Sequence, residues 1–462
     1  MATAVMDHQP HSGGRACNSH DSHETADNGQ KFETDTEAAN SAPLSGSGQD
    51  RAPELLERRL SQLAVLERIP TFLQPSLPWR DRLMHFTFAW YTVSMSTSGI
   101  ALILAITPKR FQGLSTIGLV IFLIDLLFFV VISLAILIRF VLYRQTLRRA
   151  FTRPSEALFI PTLLLSVAAI LSNVSAYGNI FLPASSAAAL AGFLHVAFWA
   201  YLGATFVISV LQYHLLFSVK AERRLTVSAM TPAWILPIFP VMLAGTLATP
   251  CAEGQPADRA IAVLCAGLAA QGLGILVSVF FYATYLSRLM VYGLPVQRPG
   301  MFIAVGPPSF TCAALVAIAG EIPRVFAGLG AAGGGRSVLG FSGIGAGDAD
   351  VLAAGIKLVA LASAVFLWGL SFWFFTSAVA AVVAGMPDRR FHLSWWSFVF
   401  PNVGFVLASI RIGSAVGSEG ILWLCSVMTV LLVAAWAFIG FRCIRAVYQR
   451  EIVWPGHDED SS

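Results

Sequence analysis

Between about residues 86 and 442 the chain is divided into about ten long apolar stretches, roughly 86–106, 117–140, 157–177, 188–217, 231–249, 259–285, 301–319, 351–383, 393–412 and 420–442. About 20 apolar residues cover the hydrocarbon core of a bilayer as a helix, and inside that core every backbone group needs a partner within the protein. This pattern predicts an all-α integral membrane protein, with the lipid bilayer as its solvent. No soluble chain of 462 residues would be 56% apolar and 12% charged.

Proline falls in alternate stretches. The third, fifth, seventh and ninth contain or open on Pro161, on Pro237 and Pro240, on Pro307 and Pro308, and on Pro401. The first has no proline but carries Gly99 after the polar run Ser94-Met95-Ser96-Thr97-Ser98, and the even-numbered stretches have none. Proline removes a backbone hydrogen bond, a defect tolerated at membrane depth only where protein or water satisfies the freed carbonyl. Odd-numbered helices are therefore expected inside and even-numbered ones outside, as five helical hairpins around a central pore. Broken helices would also present free N–H groups to an anion. The segments around Pro237 and Pro240 and around Gly306 and Pro307 are candidates, with the hydroxyls of Ser94, Ser96, Thr97 and Ser98 as further donors. Close helix packing explains the same small residues equally well.

Arginine and lysine set the orientation. One set of connections holds Arg80, Arg82, Arg144, Arg148, Arg149, Arg153, Lys220, Arg223, Arg224, Arg288, Arg298, Arg389, Arg390, Arg445 and Arg450. The opposite set holds Lys109, Arg110, Arg259, Arg324, Arg336 and Arg411. Both termini are thus expected to be cytoplasmic. Residues 1–82 read as a disordered tail, with leucine spacing at 53–69 that predicts a short amphipathic helix. Residues 83–445 form the membrane domain and 446–462 a short second tail. The Gly/Ala-rich connection 321–350 reads as a flexible loop.

Ionisable residues inside the spans are few. Asp125 reads as an acid hydrogen-bonded to a neighbouring helix, with proton coupling as the sharper alternative. Arg298 and Lys357 are candidates for drawing anions to the two mouths, against the plainer reading of interfacial charges. Glu156 reads as a first-turn cap of the third span. The net charge of +4 gives nucleic-acid binding no support. Six cysteines without a CxxC pair indicate buried apolar thiols, with no metal and no cofactor. HExxH, GxSxG, phosphate-loop and dinucleotide motifs are missing, as are paired intramembrane acids, so an enzyme is not expected.

Four strings are specific: HFTFAWYTVSMSTSGIAL at 85–102, MTPAWILPIFPVMLAGT at 230–246, RPGMFIAVGPPSF at 298–310 and FHLSWWSFVFPNVGF at 391–405. Together they resemble the fungal malate and C4-dicarboxylate transporters. These belong to the family that includes the bacterial tellurite-resistance transporter, the yeast sulfite efflux pump and the slow-type anion channels of plant guard cells. The resemblance covers about residues 80–445. It implies ten helices in five hairpins, a small organic anion such as malate as substrate, a plasma-membrane location and often a homotrimer with one pore per protomer. It also implies a phenylalanine plug in the ninth span. Phe400 fits that plug, directly before Pro401 and one turn before Gly404, with Phe398 facing elsewhere. A bulky apolar ring at a constriction imposes a dehydration barrier on any anion; the plainer reading is a packed core phenylalanine. Sulfite efflux, export of another organic acid and a sensor that does not transport remain alternatives, and proton coupling is implied by the resemblance alone.

Overall fold

The computed structural model describes residues 78–221, 224–331 and 346–454. The tail up to residue 77, with its expected amphipathic helix, lies outside the described residues, as do the middle of the 321–350 connection and the last eight residues.

Among the described residues ten main helices follow one another: α1 (Tyr91–Ile106), α2 (Leu114–Leu142), α3 (Thr162–Phe181), α4 (Ala187–Phe217), α5 (Phe239–Ala252), α6 (Ala257–Tyr292), α7 (Gly306–Ala331), α8 (Ala346–Val383), α9 (Phe400–Val416) and α10 (Glu419–Tyr448). Among the described residues no strand occurs. Among the described residues nine helical segments are long and apolar enough to cross a membrane, and α5 is a shorter apolar helix beside them. The connection expected to be a loop from residue 321 is helical as far as Ala331, because α7 continues through Pro323.

The odd helices form a closed ring. α1 packs on α3, α3 on α5, α5 on α7, α7 on α9, and α9 returns to α1. Each also packs on the even helix that follows it. In the span Phe88–Ile106 83% of the most apolar stretch is buried, against 22% in Leu114–Leu142, so the first hairpin has one inner and one outer helix. The long outer helices α2, α4, α6, α8 and α10 expose rows of Leu, Val and Phe, as lipid-facing surfaces do.

The inner spans are divided rather than merely bent, the first of them without a proline. Phe88–Trp90 precedes α1, Pro154–Ala157 precedes α3, Pro232–Ile235 precedes α5, Arg298–Val305 precedes α7, and Leu393–Phe398 precedes α9. The α-helix then restarts, with Pro240 and Pro401 in the first turns of α5 and α9, where no amide hydrogen is needed. Outer helices satisfy the carbonyls that these breaks release. Pro308 leaves the Ala304 carbonyl, four residues earlier, without its helical donor, and the Tyr282 hydroxyl of α6 donates to it at 2.8 Å. Tyr213 of α4 likewise donates to the Trp234 carbonyl at 3.0 Å, and Tyr201 ties α4 to the first turn of α5 by donating to the Pro240 carbonyl at 2.9 Å.

At the second end of the described chain, residues 446–454 pack against the membrane domain. Ile452 and Trp454 are buried. The guanidinium groups of Arg82 and Arg450 lie 5.6 and 4.9 Å from the Trp454 ring centroid, and Arg82 donates to the Val447 carbonyl at 3.3 Å. The helix Trp79–Leu83, assigned from sequence to the tail, is thereby joined to the end of α10.

Candidate functional site

Three rings from three inner helices meet at the helix restarts. Phe239 opens α5, Phe400 opens α9, and Phe310 lies one turn into α7. Their centroids are 5.4 Å apart for Phe310 and Phe400, 5.8 Å for Phe239 and Phe310, and 6.2 Å for Phe239 and Phe400. Phe400 is 2% exposed. Phe398 packs on Phe302 at 5.0 Å, away from this cluster.

Glycine makes the cluster possible. A Cβ at Gly306 would stand 2.7 Å from the Phe239 ring, one at Gly404 would stand 2.7 Å from the Phe310 ring, and one at Gly99 would stand 2.8 Å from Val403. Three inner helices therefore approach through glycine, each beside a large side chain of a neighbour. Gly404→Ala gains helix propensity of roughly 0.5–1 kcal/mol but must displace a buried ring, which costs about 1–3 kcal/mol. The overlap wins, so lower thermal stability of the purified variant is expected; an unchanged or higher melting temperature would contradict the packing.

From this cluster a cavity of about 320 Å³ extends between the second halves of all five inner helices. Phe310 and Phe400 line it at one end. Val403, Leu407 and Arg411 follow along α9, from Phe400 to Arg411 about 16 Å at 1.5 Å per residue. Gly99, Ser172, Asn179, Thr246, Thr249 and Glu253 contribute from the other walls, with Glu321 from α7. Helical spacing of three and four runs through each row, so each helix presents one stripe to the axis.

Several residues singled out from sequence do not line this cavity. Ser96 is fully buried and reaches the Trp396 carbonyl at 3.5 Å. Its neighbours hold helices together: Ser94 donates to Asp125 at 2.8 Å, Asn173 donates to the Ser98 hydroxyl at 2.9 Å, and Trp436 donates to Thr97 at 3.1 Å. Buried hydroxyls this close to polar partners become helix–helix ties rather than pore donors. Arg298 donates to the carbonyls of Ala381, at 2.6 Å, and Gly385, placing a cation at the end of α8. Lys357 stands on the exposed face of α8, outside the ring. Pro237 is buried in the turn before α5, while Pro240, Gly306, Pro307 and Pro401 lie at the restarts that carry the phenylalanines.

Glu156 is more than a cap: it is 2% exposed and forms a two-pronged pair with Arg139 of α2, 5% exposed, with Arg139 Nη2 3.2 Å from Glu156 Oε2. The sequence reading counted Arg411 only for orientation and passed over Arg139, Phe239 and Phe310. Among the described residues no cluster of His, Cys, Asp and Glu is arranged for a metal.

A family model described as SLAC1, voltage-dependent anion channel, matches residues 85–444. The chain is 31% identical to the malic acid transport protein of Schizosaccharomyces pombe, over 84% of each chain. It is 32% identical to a putative malic acid transport protein of the same yeast, over 84% of this chain and 85% of that one. A sulfite efflux pump of Trichophyton rubrum is 22% identical, over 77% of this chain and 89% of the pump. With the match running from before α1 into the last turn of α10, the chain belongs to the SLAC1 family of voltage-dependent anion channels.

Proposed function

We propose that this protein conducts malate or a related C4-dicarboxylate anion through the helix ring, and that Phe400 is the gate. The observation that carries the reading is the three-ring cluster of Phe239, Phe310 and Phe400 at the end of a cavity bounded by all five inner helices. An anion crossing those rings must lose water against an apolar surface, which sets a high barrier while the rings remain packed. The restarts of α5, α7 and α9 at the same level turn helix N-termini, with their partial positive charge, toward the constriction. Pro401 and Gly404 act as the hinge of the gate, and Gly99, Pro240, Gly306 and Pro307 shape its surroundings. Family membership makes the chain an anion transport protein of the membrane and not an enzyme.

The identity of about one third to malic acid transport proteins supports a carboxylate cargo over sulfite, since the named sulfite pump is more distant. In the same reading the membrane is the plasma membrane, both termini are cytoplasmic, and the protein assembles as a homotrimer with a pore in each protomer. The test is uptake of radiolabelled malate into proteoliposomes with sulfite as competitor. Saturable malate uptake above protein-free vesicles, unaffected by equimolar sulfite, is expected. Passage of sulfite without malate would move the cargo to sulfite, and silence toward both would overturn conduction.

A further inference from the structure

We propose that Arg411 and Thr249 form a carboxylate-binding subsite on the wall of the central cavity, holding one end of the anion before it meets Phe400. This rests on the reading of the ring as a carboxylate path and adds where and how the cargo is recognised.

Most hydroxyls on the cavity wall have already committed their proton. Ser172 donates to the Ala168 carbonyl at 3.0 Å, Thr246 to the Leu243 carbonyl at 2.9 Å, and Ser175 to the Pro250 carbonyl at 3.3 Å. Thr249 is different: its buried Oγ1 has no hydrogen-bond partner. Arg411, half-buried on α9 and lining the same cavity, makes no hydrogen bond and no ion pair within 4.0 Å among the described residues. Its nearby acids are engaged elsewhere. Glu321 accepts from Arg324 Nε at 2.8 Å, and Glu253 accepts from Asn179 Nδ2 at 3.1 Å.

A guanidinium inside a protein without a hydrogen-bonding anion is costly, as is a buried hydroxyl without a partner. Placed on one cavity, the two describe a place for a ligand that accepts hydrogen bonds. The charges specify which ligand. Arg411 and Arg324 are matched by Glu253 and Glu321, so this region holds no excess positive charge to concentrate anions indiscriminately. What it offers is direction: a planar fork of N–H donors that fits the two oxygens of a carboxylate and has no such match to a spherical halide. The Thr249 hydroxyl supplies a further donor from α5.

Two measurements on the full-length protein test the subsite. In proteoliposomes, Arg411→Gln is expected to raise the KM for malate about tenfold or more, the loss of a charge-assisted bond, while chloride flux changes less than about twofold. Arg411→Lys, which keeps the charge but not the fork, is expected to fall between, and Thr249→Val to raise KM about threefold. An unchanged KM in Arg411→Gln overturns the proposal, as does an equal loss of malate and chloride flux, which would mark a structural role. In detergent, malate, succinate or acetate is expected to raise the melting temperature of the wild type, with no such shift in Arg411→Gln and none from chloride. This second readout separates the two readings. Stabilisation without malate flux would reject malate conduction and keep the subsite; no stabilisation of the wild type by any carboxylate would reject the subsite even if flux were present.

Discussion

Replacing Phe400 by alanine is expected to raise malate flux through proteoliposomes roughly ten- to hundredfold, the factor given by about 1.4–2.8 kcal/mol off a barrier. The ring is 2% exposed and held by Phe239 and Phe310, so the side chain removed is part of the wall that excludes water from the constriction. Without it an anion keeps more of its hydration while passing. The same change removes a packed ring and costs folding stability of about 3–5 kcal/mol. Flux must therefore be normalised to folded protein in each vesicle preparation. Phe398→Ala, whose ring packs on Phe302 at 5.0 Å and away from the cluster, is the matched control and is expected to leave flux within about twofold of the wild type. Unchanged flux in both Phe400→Ala and the Phe310→Ala/Phe400→Ala double variant would place the barrier elsewhere.

The second large effect is on stability. Arg139→Met leaves the Glu156 carboxylate buried beside the Phe86 carbonyl with no cation, and a loss of about 3–5 kcal/mol is expected. The pair joins outer helix α2 to the turn Pro154–Ala157 that leads into α3, and through Phe86 to the chain entering α1. Two inner spans are thus held from one point. Replacing both partners, as Arg139→Met/Glu156→Leu, removes the stranded charge as well, so the double variant is expected to recover part of the loss. Thermal unfolding in detergent measures both. A double variant no more stable than Arg139→Met would show that the charge is not what makes the single change costly.

The ring of inner and outer helices was legible because proline acts locally: Pro237, Pro240, Pro307, Pro308 and Pro401 forbid backbone bonds wherever the chain goes. What they produce was only half legible, since a bend and a full restart after a tight turn cost the same bonds. Phe400 stood out through its proline and the family strings. Phe239 and Phe310 did not, because their role depends on three helices converging, and 33 phenylalanines offer no sequence signal for that. The polar run Ser94–Ser98 left two readings open for a related reason: whether a hydroxyl faces a pore or a neighbouring helix depends on Asp125 and Asn173, which lie on other helices. Arg139 and Glu156 stand 17 residues apart across a connection, and each alone resembles an interfacial charge. Arg298 turns to the carbonyls at the end of α8 and Lys357 stands on the exposed face of α8, because nearness to a mouth in sequence says nothing of the direction a long side chain takes.

That anions travel through the ring is tested most directly by blocking it. Leu407 lines the cavity on the Arg411 side of Phe400, one turn of α9 from either Val403 or Arg411. In a Phe400→Ala background with the native cysteines replaced by serine, Leu407→Cys would be treated with a bulky, charged thiol reagent and malate flux measured before and after. Flux falling to the level of protein-free vesicles is the result predicted; undiminished flux with the cysteine fully labelled, as read by mass, would show that the anion takes another route.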